Sequence, residues 1–267
     1  MPTSTSGNNV NDIEKGPIQH LENSHSTHYR PPIQLSPEQY EQLFLQPRDR
    51  APSSLTIRFG NPTAIGIISH LLSLTPTAAY LMRWGGADAT SLVTMVGPYY
   101  FIGGLGLVLS GVMEWVLGNS FPSVVFISFG GFWLSLGTLN DPEHNIAGAY
   151  ANGSAALAYN DGLMFYFAFW AVTCTVYFIV SLRTNVVFAI IFASLIFTFV
   201  CLAVGYARIG DGNTDSAFDW LKAAGACAWV CICAAWYLIV SLLFAAVEMP
   251  YTLPLGDFSG RVFRRRR

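Results

Sequence analysis

The chain has 267 residues, of which 52% are hydrophobic and 11% charged, with a net charge of −2. A soluble domain usually carries about 25% charged residues, so this balance excludes an ordinary soluble enzyme. It also leaves no basic footprint for nucleic acid.

Residues 1–54 are polar and rich in Ser, Asn, Gln, His and Pro, with no apolar h-region. No cleavable signal peptide is expected from them. Such a segment buries too little surface to offset its ordering entropy, so it reads as a disordered tail. His20, His25 and His28 lie there and read as solvated residues rather than a metal site.

Spanning the hydrocarbon takes about 20 apolar residues. Six such runs follow, at roughly 62–82, 95–117, 121–139, 160–182, 185–206 and 222–247. None alternates as a barrel strand would. The fold expected is an all-α integral membrane protein with six transmembrane helices, in a domain over 55–248 with a basic tail at 249–267. Asn61-Pro62 suits the start of the first helix, Asn as cap and Pro at the first position, where no N–H is needed. Gly118-Asn119-Ser120 separates the second and third helices, and Arg183-Thr184-Asn185 the fourth and fifth. Links this short force antiparallel neighbours. In the second run, Gly106 and Ser110 make a small-xxx-small pair, with Gly103 and Gly111 nearby, for close packing within or between protomers.

An even number of spans puts both termini on one side. That side carries Lys15, Arg30, Arg48, Arg50, Arg58, Arg183, Arg261 and the arginines at 264–267, eleven positive charges against three at Arg83, Arg208 and Lys222. The bias places both termini in the cytoplasm. The basic C-terminal run reads chiefly as a topology signal, with contact to anionic membrane lipids as its other use. The sequon Asn152-Gly153-Ser154 then falls outside, making Asn152 a candidate glycosylation site.

The five cysteines, at 174, 201, 227, 231 and 233, all fall in the spans and read as small packing residues rather than a disulfide framework or a metal site. No nucleophile–base pair, phosphate loop or ligand spacing appears, so neither enzyme chemistry nor a metal or other cofactor is expected. Two ionisable residues lie well inside the helices, His70 and Glu114, and such groups default to functional hypotheses. Glu114 reads either as a group at a pathway mouth or as an interhelical structural carboxylate. His70 reads either as lining a pathway or as a neutral core histidine.

Several motifs point to one family. Residues 61–67, NPTAIGI, resemble the NPAPLGL signature of the acetate uptake transporter family, also called the GPR1/FUN34/YaaH family. Gly111-Val112-Met113-Glu114-Trp115 followed by Gly118-Asn119-Ser120-Phe121 is similar to its GMWEF…GNTF segment. Residues 126–135, FISFGGFWLS, resemble its FSSYGAFWLS stretch, and Ser181-Leu182-Arg183-Thr184-Asn185 matches its SLRTN link. The resemblance covers about residues 59–260, and the long polar N-tail resembles the fungal branch. It implies six helices around a central pore in each protomer, a hexameric ring, and uptake of acetate or another short monocarboxylate, coupled to protons or channel-like. The plasma membrane is the expected location. Ammonium export, or a non-transporting sensor of the same fold, are the alternatives.

The resemblance also implies a pore constriction at His70, Phe129 and Leu195, on the first, third and fifth helices. Each lies about nine to eleven residues from the cytoplasmic start of its helix, or roughly 13–17 Å at 1.5 Å per residue. His70 replaces the family's Phe and Phe129 its Tyr, so the ring gains an ionisable group and loses a hydroxyl. The substrate pathway is expected to run past Asn61, Pro62 and Thr63, where a helix N-terminus favours an anion, with Glu114 and Asn119 beside it. A protonated His70 would pair with the anion, giving faster flux as pH falls.

Overall fold

A computed structural model of the chain describes residues 60–87 and 89–256. The polar segment 1–54 with its three histidines, and the basic run with Arg261 and arginines 264–267, lie outside the described residues.

Among the described residues, six helices are long and apolar enough to span a membrane. They are α1 (Pro62–Leu81), α2 (Thr90–Val116), α3 (Ser120–Asn140), α4 (Leu157–Ser181), α5 (Val186–Gly210) and α6 (Thr214–Ala246). The apolar runs located these well, because hydropathy over about 20 residues is a local property. The ends differ where polar residues continue a helix. α6 begins eight residues before the expected 222 and runs 33 residues, or about 50 Å at 1.5 Å per residue. Its first turns, with Asp215, Asp219 and Lys222, therefore extend beyond a hydrocarbon core of about 30 Å.

The caps follow the sequence. Asn61 Oδ1 accepts from Thr63 N at 2.9 Å, with Pro62 at the first helical position. Asn185 Oδ1 accepts from Phe188 N at 2.9 Å, and Asn213 Oδ1 accepts from Ser216 N at 3.2 Å. Asn119 does not cap. It stands before α3 without a side-chain cap bond, because its amide is taken by Glu114.

α2 departs most from expectation. It opens as a 3₁₀ segment over Ala89–Met95, passes through a short α-helical turn at Val96–Pro98, widens to a π-helix over Tyr99–Gly106, and returns to α-helix at Leu107–Val116. Extended π-helix is rare and is found mostly at functional sites. The π segment carries Gly103, Gly104 and Gly106. A Cβ at Gly103 would stand 2.5 Å from Ser73 Oγ and 2.7 Å from Trp133 Cγ, and one at Gly106 would collide with Ser69 Oγ. At Gly111 it would stand 2.6 Å from Ile127 Cγ1. Ser110 donates to the Pro62 carbonyl at 2.6 Å. These small residues of α2 thus lie against α1 and α3 of the same chain.

α4, α5 and α6 pack in sequence, α6 returns to α1, and α2 lies against α1 and α3. α3 makes few close backbone approaches to α4 or α5. The space between them is filled by aromatic side chains. Large apolar residues such as Phe101, Trp115, Phe169 and Phe197 stay exposed on the bundle's outer face, as a lipid-facing surface requires.

After α6 the chain turns back. Tyr237 donates to the Pro254 carbonyl at 2.8 Å, and Val186 N at the start of α5 donates to the Gly256 carbonyl at 2.9 Å. Leu255 is buried beneath this strap. Gly256 has φ +69°, and a Cβ there would stand 2.7 Å from Val186 Cγ2. Gly256→Ala is therefore expected to cost more than about 1 kcal/mol locally and to release the strap. Limited proteolysis of the purified protein would show this as faster cleavage between 247 and 256, with the helical bundle intact.

Candidate functional site

Three features lie along the bundle: a polar lock near the start of α1, an aromatic column at mid-depth, and a chamber at the far end.

The lock joins α1, α2 and the link to α3. The Thr63 hydroxyl donates to Glu114 Oε1, and Asn119 Nδ2 donates to Glu114 Oε2 at 2.6 Å. Thr63 and Glu114 are fully buried, and Asn119 nearly so. An ionised carboxylate is acceptor-only and pairs well with two donors. All five expected pathway residues, Asn61, Pro62, Thr63, Glu114 and Asn119, come together here. Their packing, however, is closed. The first turn of α1 already holds the carboxyl group of Glu114 through the Thr63 hydroxyl. Asn119 Oδ1 is sealed without a partner. Glu114 thus bridges α1, α2 and the link to α3.

The column begins between α3, α4 and α5, where Phe121, Tyr177 and Phe192 pack at ring-centroid distances of 5.6–6.2 Å. It continues through Phe129 to Trp170 at 5.1 Å and Phe199 at 6.5 Å. Phe132 follows, 5.3 Å from Phe199, then Phe167 and Tyr206, 5.2 Å apart. Offset and edge-on ring pairs at these spacings are favourable.

The expected constriction maps onto this column. His70 meets Phe129 edge-on at 5.2 Å. Leu195 is buried in the same core, one turn from Phe199 on α5. His70, Phe129 and Leu195 lie 8, 9 and 9 residues from the starts of their helices, about 12–14 Å in.

The sequence reading missed Trp133. Its indole N–H donates to His70 Nδ1 at 3.2 Å, and its ring stacks on Tyr99 at 5.1 Å. Indole is a donor only. His70 Nδ1 therefore accepts, Nε2 carries the proton, and the ring is the neutral tautomer. A charged His70 would have to give up this bond, since its Nδ1 would then carry a proton. Nε2 has no hydrogen-bond partner among the described residues, so the column has one open donor at mid-depth. Below it, Thr77 donates to the Ser73 carbonyl at 2.7 Å, so Tyr99 donates to Thr77 Oγ1, also at 2.7 Å. The signal for Trp133 was its position, four residues after Phe129 and so on the same helix face. Its partner on α1 had no local sign.

The chamber lies between the far ends of all six helices, α2 contributing Thr90 and Leu92, with a volume of about 440 Å³. Phe167 and Tyr206, which end the column, are part of its wall. Arg83, Tyr80, Tyr159 and Asn160 also line it. Asn152 is exposed in the α3–α4 loop at the same end. Near it, the Asp141 carboxyl is held below the usual carboxylate range, chiefly by the Glu143 backbone N–H and then by His144 and Tyr100.

Residues 44–259 match the model of the GPR1/FUN34/yaaH family. Protein alcS of Aspergillus fumigatus is 34% identical over 242 residues, covering 88% of this chain and 89% of that one. The acetate transporter protein patA of Aspergillus clavatus is 33% identical over 208 residues, covering 78% and 82%. The solved structure of the bacterial acetate channel SatP aligns with a TM-score of 0.60 at 23% identity, covering 74% of this chain and 99% of that one. This last likeness is one of fold.

Proposed function

Because the chain belongs to the GPR1/FUN34/yaaH family, we propose that it carries acetate or a similarly small monocarboxylate across a membrane, along the axis between its own helices. The observation that carries this reading is the 33% identity, over most of both chains, to a fungal protein named as an acetate transporter. The axial aromatic column supports it. Packed rings make an unaccompanied charge expensive at mid-depth. A substrate crosses there as the neutral acid, or with its oxygen accepting from a fixed donor while the rings part. His70 Nε2–H is such a donor, oriented by Trp133 rather than charged. The pathway enters beside the Glu114 lock rather than through it. Both termini in the cytoplasm, Asn152 outside and open to glycosylation, a homohexameric ring, and the plasma membrane complete the proposal.

Counterflow in liposomes with acetate, propionate, succinate and methylammonium tests it. Exchange of acetate and propionate without methylammonium is expected. Exchange of methylammonium alone would transfer the reading to ammonium export, and no exchange of any would leave a non-transporting protein. His70→Phe removes one neutral hydrogen bond, worth about 0.5–1.5 kcal/mol. Acetate flux should fall roughly 2–10-fold, with the shape of its pH profile unchanged. Undiminished flux would take His70 out of the pathway, and a lost acid limb would restore a charged His70.

A further inference from the structure

The chamber has a chemistry that a passage for acetate does not need. It holds about 440 Å³, within the range of sites for drug-sized ligands and far more than a two-carbon acid fills. Much of its wall is apolar, with Leu81, Leu136, Leu163, Phe167 and Ile209. Its polar groups are mostly donors. Arg83 supplies a guanidinium, 3.7 Å from the centroid of the Phe218 ring, which also lines the chamber. Tyr159 and Tyr206 present hydroxyls with no hydrogen-bond partner among the described residues. Asn160 is nearly sealed and fixed by two bonds, to the carbonyls of Ser154 at 2.8 Å and Ala156 at 2.9 Å.

No carboxylate is part of the lining among the described residues. The described acidic residues at this end are not part of the lining, and Asp211 is paired with Arg208 at 3.6 Å. Arg83 makes no ion pair among the described residues. One unpaired guanidinium, free phenols and an apolar wall fit one carboxylate attached to an apolar body. A dicarboxylate would leave its second charge against leucines.

The floor of the chamber is the closed end of the column. Phe132, Phe167 and Phe199 are each at most 5% exposed. A planar ring is wider than the carboxylate that carries it, so it stops where acetate goes on.

We infer that the chamber binds monocarboxylates bearing an apolar ring or chain, with Arg83 and the phenols on the carboxylate, and that such an occupant blocks the axis instead of crossing. The binding half stands on the chamber alone, and the blocking half rests on the transport reading above.

Calorimetric titration of phenylacetate into the purified full-length protein tests the binding half. Saturable binding is expected, at least about tenfold weaker in Arg83→Gln, since hydrogen bonds to charged groups contribute about 1.5–3 kcal/mol. Arg83→Lys should lose less, and Tyr206→Phe roughly threefold. Phenylacetamide, which has the ring without the charge, should bind at least about tenfold more weakly than phenylacetate. Equal affinity in wild type and Arg83→Gln, or no saturable binding in wild type, overturns the site. In liposomes, phenylacetate should slow acetate uptake by wild type and not by Arg83→Gln. Accumulation of phenylacetate inside the liposomes overturns the block. If acetate does not move at all, the transport reading fails while the titration still decides the site.

Discussion

Glu114→Ala is expected to destabilise the protein by about 3–5 kcal/mol. The substitution leaves two donors, the Thr63 hydroxyl and the Asn119 amide, buried without an acceptor. Each such group costs about 1–3 kcal/mol, and lost packing of the side-chain methylenes adds about 1 kcal/mol per group. Glu114→Gln should be much milder. The Gln carbonyl accepts from Asn119, and its amide donates to the Thr63 oxygen, because a hydroxyl can reverse its role. Melting followed by fluorescence-detected size exclusion would show a large fall for Ala and a small one for Gln. If instead both variants melt like wild type and both lose transport, the carboxylate acts on the substrate or a proton, and the structural reading fails.

Gly103→Val is expected to have an effect of similar size for the opposite reason. It adds volume where α2 meets α1 and α3 and no space exists. The first atom of the new side chain would stand 2.5 Å from Ser73 Oγ and 2.7 Å from Trp133 Cγ. The serine can turn, but the indole cannot move without breaking its bond to His70 and its stack on Tyr99. Overpacking of this kind costs about 1–3 kcal/mol. The displaced Trp133 would also free His70 to rotate. The variant should therefore lose both thermal stability and acetate flux. Gly131→Val is the control, because nothing lies within 4 Å of a Cβ at Gly131 on α3. Equal melting temperatures for the two variants would show that α2 is not held as tightly as its contacts imply.

These two sites mark the limits of a reading by sequence. Glu114 was legible as a costly group needing an explanation, and its neighbours Asn119 and Thr63 were legible as pathway residues. That they neutralise one another was not, because Thr63 and Glu114 are 51 residues apart. His70 and Phe129 were matched through motifs and through equal depth along their helices, and the structure puts their rings together. Trp133 is 63 residues from His70, and no local pattern announces a bond of that range.

What the sequence by itself determined was set by local forces. Apolar length fixed six spans, since the bilayer demands about 20 residues of each. Pro62 and the Asn residues at 61 and 185 marked where two helices begin, since a cap needs only its own next few N–H groups. What only the tertiary structure decided was the use of the polar and small residues. The glycines of α2 turned out to be places where a side chain would strike α1 or α3. A single indole set the tautomer of His70. The chamber has no sequence signature at all, since it is the space left by six helix ends and two loops, and a space between elements belongs to none of them.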